Sequence, residues 1–215
     1  MTGIDTFGHP DFLGSHDFDT YLVVTGGDVG RALGLFEWNV RVSAAFYELL
    51  GGVELVIRTA IDREMRSWSH RRGFESNWFV DRAGILDERS RFDIARAVER
   101  IGTPLEQSDP DRIVSEVSFG FWRFLLTGRY RGSIWAQAIR YAFPNLPIQD
   151  SQKFSNRIGR LHDLRNRIAH HRPIHHRRLE LDLRDCYAAV EAVSTEAKRW
   201  LQTRSRVEEL LAERP

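Results

Sequence analysis

The stretch LFEWNVRVSAAFYELLGGVELVIRTAID, residues 35–62, decides the fold of this 215-residue chain. Its apolar residues recur at steps of three and four: Val42, Phe46, Leu49, Val53, Val56 and Ala60. This spacing places them on one face of an α-helix, so we predict a helix over 28–68 that buries this face in the core. Gly51 and Gly52 can kink or split it, since each costs about 1 kcal/mol relative to alanine. We favour one continuous helix.

Periodicity predicts helices over most of the remaining chain, and no segment has the alternation of a strand. The proline at 173 separates the last two helices, and glycine and proline mark the earlier breaks. We expect a surface loop at 67–81 that contains Trp78 and Phe79. The predicted helices cover 87–101 (through Phe92, Ala95 and Val98), 117–126 and 133–143 (both short and buried), 150–171 and 179–212. In the last one, a stripe of Leu183, Tyr187, Val190, Val193, Ala197 and Leu201 indicates core or dimer contact.

Composition is typical of one globular domain, with 42% hydrophobic and 28% charged residues. We expect a single domain over 1–215, with its core at about 20–200 and a short N-terminal arm. The single cysteine, Cys186, cannot form an intramolecular disulfide, which favours a cytoplasmic location. Residues 1–12, MTGIDTFGHPDF, lack the pattern of a signal peptide. Since no apolar run approaches the roughly 20 residues of a membrane span, we expect no membrane association.

Positive charge is concentrated in one segment, residues 157–178. The segment holds seven arginines, five histidines and one acid, Asp163, whereas the whole chain has a net charge of +1. A polyanion such as RNA is the natural partner of such a segment, although a solvated basic face is the alternative. The candidate RNA-binding residues are Arg157, Arg160, Arg167, Arg172, Arg177 and Arg178. We expect Arg157, Arg160, Arg177 and Arg178 to face solvent and follow the phosphate backbone.

A candidate catalytic group lies where the basic helix should end. Pro173 disfavours helical geometry at the preceding residue, which places His170 in the last turn. There the helix dipole favours the protonated imidazole. Asn166, one turn earlier on the same face, can orient the ring, and the long side chain of Arg165 can reach the helix end. Histidine for proton transfer and arginine for phosphate stabilisation suffice to cleave RNA without metal. Acid and base steps need two histidines, which a twofold dimer would supply.

The run RNRIAHHRP, residues 165–173, resembles the R-x4-6-H signature of the HEPN superfamily, in its Abi-like (abortive infection) branch. Residues 35–62 are similar to the N-terminal helix of that branch. SFGFWRFLLTGRY (118–130) resembles its Gly-Phe-Trp segment and SIWAQAIRYAFP (133–144) its next helix. The resemblance implies an all-α HEPN-type helical bundle with additional short helices and a metal-independent endoribonuclease. It also implies a homodimer with a composite active site, a role in phage defence or toxin–antitoxin systems, and an antitoxin (protein or small RNA) as partner.

The resemblance assigns the signature positions to Arg165, Asn166 and His170, and the second histidine of the branch to His171. The chain departs from the branch at Arg172, where the branch has glutamate. It departs again at 58–59, where Arg-Thr replaces Arg-Asn. Glu54 can pair with Arg58 one turn away or with the arginine-rich helix across the bundle. We favour the local pair, because such pairs are common on helices.

Other conspicuous residues have simpler interpretations. His171, His175 and His176 suggest a metal site, but Pro173 breaks their helical register and no nearby carboxylate or cysteine completes a ligand set. We therefore expect neither metal nor cofactor. Trp122 and Trp135 can stack on RNA bases, but their helical spacing favours a place in the core.

The rival hypothesis to a ribonuclease is a non-catalytic HEPN-like module that binds RNA or a partner protein through the same basic surface. A weaker third hypothesis is a scaffold whose basic cluster serves only assembly.

Overall fold

Nine α-helices occur in the part of the chain that the computed structural model describes, residues 15–74, 77–147 and 150–215. No strand occurs within these ranges, and the all-α class is confirmed. The helices are α1 Ser15–Val24, α2 Val29–Arg71, α3 Glu88–Ile101, α4 Pro110–Glu116, α5 Phe119–Leu125, α6 Ser151–Ala169, α7 Leu179–Glu191, α8 Thr195–Gln202 and α9 Val207–Ala212. The N-terminal residues used to exclude a signal peptide lie outside the described ranges.

The long helix predicted over 28–68 is confirmed as α2, a continuous helix of 43 residues. Asp28 caps it by accepting a hydrogen bond from the backbone N–H of Arg31 at 2.9 Å. Gly51 and Gly52 lie inside the helix without interrupting it. At Gly52 a Cβ would lie 2.5 Å from Cδ2 of Leu201, so the absence of a side chain lets α8 pack closely on α2.

The other helices cover α2 along its length, since α1, α5, α6, α7, α8 and α9 all contact it. The indole N–H of Trp38 donates to the carbonyl of Leu210 at 2.6 Å and fixes α9 on α2. Cys186 on α7 is fully buried, and burial raises the pKa of its thiol far above the ordinary value.

The surface loop predicted at 67–81 is wrong in two respects. Helix α2 continues to Arg71, and Trp78 and Phe79 are buried in a short 3₁₀ turn, with their rings stacked at 4.0 Å. The reason is a buried carboxylate on α2: Asp62 accepts from the indole N–H of Trp78 at 2.8 Å and from Arg66 at 2.7 Å. A satisfied indole N–H removes the cost of burying the ring.

Helix α3 occupies the predicted range, but of the three residues that carry its helical spacing only Val98 packs against the core. Phe92 is 59% exposed and Ala95 is also exposed. The buried residues are instead Ser90, Ile94 and Ala97. Asp87 caps the helix by accepting from the N–H of Ser90 at 2.9 Å. The buried Ile94 and Ala97 lie three residues apart on the face that packs against the core.

The two short buried segments turn out differently. The one predicted at 117–126 is the helix α5, which is confirmed. The one predicted at 133–143 buries most of its apolar residues, with Tyr141 49% exposed, but it is not an α-helix. It consists of a π-type turn, Arg131–Trp135, and a 3₁₀ turn, Ile139–Ala142, with Ser133 in a non-helical conformation (φ −115°, ψ −105°).

The single long helix predicted at 179–212 is also wrong, because α7, α8 and α9 replace it. Ser194 begins α8 by accepting from the N–H of Ala197 at 3.1 Å, and such a cap competes with helix continuation. The predicted stripe still belongs to the core. Its members Leu183, Tyr187, Val190 and Leu201 are buried, and Val193 and Ala197 are partly buried.

We predict different consequences for the same substitution at two adjacent glycines of α2. Gly51 has no atom within 4 Å of an added Cβ, so Gly51→Ala should raise the free energy of unfolding by about 0.5–1 kcal/mol through helix propensity. Gly52→Ala has the same propensity gain, but Leu201 must shift, which should leave it about 1 kcal/mol less stable than Gly51→Ala. Urea denaturation measures both. Equal stabilisation would show that the approach of α8 to α2 is not tight.

Candidate functional site

The basic helix α6 ends where the sequence predicts, with Ala169 as its last residue and His170 as its cap. His171 has a positive φ of 55°, and its N–H donates to the carbonyl of Ile168 at 2.9 Å. The N–H of Arg172 donates to the carbonyl of Arg167 at 2.8 Å, which completes a Schellman motif. Glycine is usual at the left-handed position, and histidine is among the side chains that tolerate it best. The chain therefore turns sharply, and the side chains of His170 and His171 lie exposed at the helix end.

Two polar side chains hold the exit turn in place. The guanidinium of Arg167 donates to the carbonyl of Pro173 at 2.9 Å. The buried amide oxygen of Asn39 on α2 accepts from the N–H groups of Ile174 and His175, at 2.9 and 3.0 Å. Arg167, proposed from the sequence as an RNA contact, is thus also a structural clamp of the turn.

Glu54 on α2 faces the arginine-rich helix. Burial raises the pKa of its carboxyl, and the positive charges of Arg165 and then Arg58 oppose this rise. Arg165 has the larger electrostatic effect of the two. In the described part of the chain Glu54 forms no ion pair within 4 Å, so the local pair with Arg58 favoured from the sequence is not made. The charge of Arg165 on α6 acts on Glu54 from the neighbouring helix without an ion pair.

Asn166 contacts a different histidine from the one expected. Its amide nitrogen lies 3.3 Å from Nε2 of His162, one turn earlier on α6. Only the backbone of Asn166 contacts His170, by accepting from its N–H at 3.0 Å. The predicted contact between the Asn166 side chain and the His170 ring is therefore wrong, because an amide on a helix can reach a neighbour on either side.

His162 is the site residue that our sequence interpretation missed. Its side chain is 18% exposed, and its ring lies near that of Phe119, with 6.0 Å between centroids. Burial lowers its pKa, Arg123 and Arg165 lower it further, and Asp163 opposes them. The ring is thus disposed to stay neutral beside Arg165. The sequence did carry one indication of its contact with Asn166, since the two residues lie four positions apart on the same helix.

Half of the proposed RNA-binding arginines are paired with buried aspartates. Asp185, whose side chain is 4% exposed, accepts from Arg157 at 2.9 Å and from Arg160 at 2.6 Å. Asp182 accepts from Arg177 through both oxygens at 2.8 Å. The expectation that these arginines face solvent holds for Arg160, whereas Arg157 and Arg177 are partly buried, and α7 supplies acids that pair with all three. Arg160 remains nearly half exposed, with 45% of its side chain accessible.

Arg178 and Arg172 lie exposed. In the ranges that the structure describes, neither side chain forms an ion pair. Arg165 is partly buried and likewise has no carboxylate within ion-pair distance there. Positive charge that is not neutralised locally therefore remains at the exit of α6.

The structure also places the three histidines of the possible metal site and the two tryptophans. His175 is 4% exposed, and its ring packs on that of His176 at 5.5 Å, while His171 lies exposed. Among the described residues no three His, Cys, Asp or Glu side chains are grouped to hold a metal ion. Trp122 is fully buried, which confirms its place in the core. Trp135 is partly buried and stacks on Phe143 at 6.0 Å.

Fold and site define an all-α protein in which an arginine-rich helix ends in exposed histidines. Comparison of the chain with protein-family models, with curated proteins and with solved structures finds no match in any of the three. The resemblance to the Abi-like HEPN branch therefore stays a hypothesis. No described helix is long and apolar enough to cross a membrane.

We predict that Asp185 is essential to the packing of α6 on α7. Asp185→Asn leaves Arg157 and Arg160 without their carboxylate and should lower the free energy of unfolding by about 3 kcal/mol. Asp19→Asn, a change of the same kind at an exposed residue of α1, should alter it by less than about 0.5 kcal/mol. Urea denaturation of both variants checks this. Similar small effects would mean that solvent replaces the ion pairs.

Stability should also depend on pH through His162. Because its pKa is lowered on folding, the unfolded chain takes up the proton first as the pH falls below about 6.5. The stability that the neutral ring contributes is present above that pH and is lost below it. His162→Gln should therefore show a shallower loss of stability between pH 7 and pH 5 than wild type. His70→Gln, at an exposed histidine, is the control and should keep the wild-type slope. An unchanged slope in His162→Gln contradicts the prediction.

Proposed function

We propose that this protein is a metal-independent endoribonuclease of the HEPN type, acting as a toxin or abortive-infection effector in phage defence. The observation that carries the proposal is the exit of α6. There an exposed imidazole, His170, follows within two helical turns a guanidinium, Arg165, that has no ion-pair partner among the described residues. Proton transfer and stabilisation of a phosphate are the two tasks of RNA cleavage, and these side chains perform them without metal.

In the proposed reaction the ribose 2′-oxygen attacks the adjacent phosphorus as the bond from phosphorus to the 5′-oxygen breaks. The His170 ring takes the proton from the 2′-hydroxyl or gives one to the departing 5′-oxygen. The guanidinium of Arg165 donates hydrogen bonds to the phosphate oxygens on which charge grows. The products are a 2′,3′-cyclic phosphate and a free 5′-hydroxyl.

Glu54 and Arg58 support this chemistry from α2. The positive charge of Arg165 acts on the half-buried carboxyl of Glu54 without an ion pair between them in the described ranges. Arg58 adds positive charge at the same place. His171, held in the left-handed turn, is the neighbouring imidazole at the helix end.

A homodimer would bring a second His170 to the site, so that one ring acts as base and the other as acid. An apolar groove of about 560 Å³ next to the exit turn supports a second copy as its occupant. Ile168 lines it from α6, His171 from the exit turn, and Val40 and Tyr47 from α2, with Val40 50% and Tyr47 48% exposed. The groove is therefore continuous with the end of α6, where a second copy of the chain would contribute its His170.

A non-catalytic HEPN-like module that binds RNA or a protein is the second candidate. One observation favours it: the Asn166 amide lies against His162, and within the described ranges no side chain hydrogen-bonds to the His170 ring. A catalytic histidine is usually oriented by such a partner. In this case the basic surface would bind RNA without cutting it.

Incubation of RNA with purified variants in EDTA tests the proposal. We expect wild type to yield fragments that end in 2′,3′-cyclic phosphate or 3′-phosphate. Arg165→Ala and His170→Ala should cleave at least about a hundredfold more slowly, because each removes one of the two groups. His70→Ala, at an exposed histidine of α2, is the matched control and should cleave like wild type. Cleavage that persists in both variants, or that needs a divalent metal, contradicts the mechanism. Binding without cleavage by all of them supports the second candidate.

A further inference from the structure

A polar cleft separates α5 and the turn after it from the first half of α6. Its volume is about 410 Å³. Arg123 and Thr127 line one wall, and Gln152, Asn156 and Arg160 line the other. The residues of the exit turn and the groove beside Val40 do not belong to it, so it is a separate feature of the surface.

Arg123 is the arginine of this cleft that has no acidic partner among the described residues. Its guanidinium lies against Gly159, where an ideal Cβ would be 3.5 Å from Nη2. The side chain is partly buried, and in the described ranges it makes no ion pair. A half-buried guanidinium without a carboxylate favours an anionic ligand, because its fixed geometry matches phosphate oxygens.

The surrounding charges add to the positive potential of the cleft. Arg131 donates a hydrogen bond to the neutral amide oxygen of Gln152, so its charge is not cancelled. Arg160 shares the single carboxylate of Asp185 with Arg157, which leaves one positive charge in excess. Asp163 is the only acid among the residues that line the cleft.

Neutral donors complete the lining. The Gln152 amide donates to the amide oxygen of Asn156 at 2.9 Å. This bond uses the oxygen of Asn156, so its two amide N–H groups are available to a ligand. Amide donors beside a guanidinium are typical of contacts to the nucleic-acid backbone. The cleft therefore combines charge, donors and a concave shape.

We propose that the α5–α6 cleft binds a backbone phosphate of single-stranded RNA, with Arg123 as the principal contact, and directs the strand towards the exit of α6. This inference rests on the proposed function, since it takes RNA as the ligand. The cleft lies on the same helix as His170, and the 14 residues from Asn156 to His170 span about 21 Å of helix axis. The bound phosphate is therefore distinct from the one that reacts.

The inference moves the RNA contacts away from where the sequence placed them. Arg177 in the exit turn is paired with Asp182, and Arg157 is paired with Asp185. Arg123, which lies outside the basic segment, retains its charge for a ligand.

The test compares two arginines with the same substitution. A fluorescein-labelled single-stranded oligoribonucleotide is titrated with His170→Ala protein, so that cleavage does not interfere, over a series of salt concentrations. Adding Arg123→Gln should weaken binding about five- to tenfold at about 0.1 M salt and reduce the slope of log K against log salt by about 0.7. Adding Arg199→Gln, at an exposed arginine of α8, should change affinity by less than about twofold.

A second pair of variants guards against misfolding of Arg123→Gln. Gln152→Glu places a carboxylate beside Arg131 at an exposed position of α6 and should also weaken binding about fivefold. Gln202→Glu, exposed on α8, is its control and should bind like the parent.

The outcomes separate the two proposals. Binding that depends on Arg123 and Gln152, without any cleavage by wild type, supports the cleft and overturns the nuclease. Cleavage by wild type with parental affinity in both Arg123→Gln and Gln152→Glu overturns the cleft and leaves the nuclease. Absence of RNA binding by the parent, or binding only to a protein partner, overturns the cleft as an RNA site.

Discussion

The structure depends on covering one long apolar stripe. A helix of 43 residues has limited stability in water by itself, and most of its stability must come from packing along one face. In α2 the buried positions run from Ala32 to Ser69, and six shorter helices contact it. Each of these helices covers one section of the apolar stripe of α2. This explains why they are short and why the chain direction reverses so often. These six helices take their positions from α2.

The same helix fixes the candidate site. Asn39 holds the exit turn of α6 through two backbone N–H groups, and the carboxyl of Glu54 feels the charge of Arg165 on α6. The two α2 residues are 15 positions apart, about 22 Å along the axis, so α2 acts on the exit turn and on Arg165 at two separate points. Arg165 and His170 are therefore held by a rigid scaffold, although their side chains lie near the surface. A site on a helix supported in this way keeps its geometry better than a site on a loop.

The sequence predicted what local rules determine. The periodicity of α2 and the stop before Pro173 depend on neighbours within a few residues, and both are confirmed. Burial of Trp78 and neutralisation of Arg157 depend on Asp62 and Asp185, which folding brings in from 16 and 28 residues away. No local pattern reveals such partners. The same limit applies to the site. The sequence predicted the basic helix and its end, but it did not predict the partners of Glu54 and Asn166. An amide can contact a histidine four residues before it as well as one four residues after it, and periodicity does not choose between them.

The burial of Cys186 has a practical consequence for studying the protein in solution. This thiol is the only one in the chain, and it lies on α7 with no accessible surface. Alkylating reagents need an exposed thiolate, so modification requires the core around α7 to open. The rate of alkylation therefore reports opening of the core without any engineered probe. A cysteine introduced at the surface, in turn, can carry a spectroscopic label selectively while the native thiol stays protected.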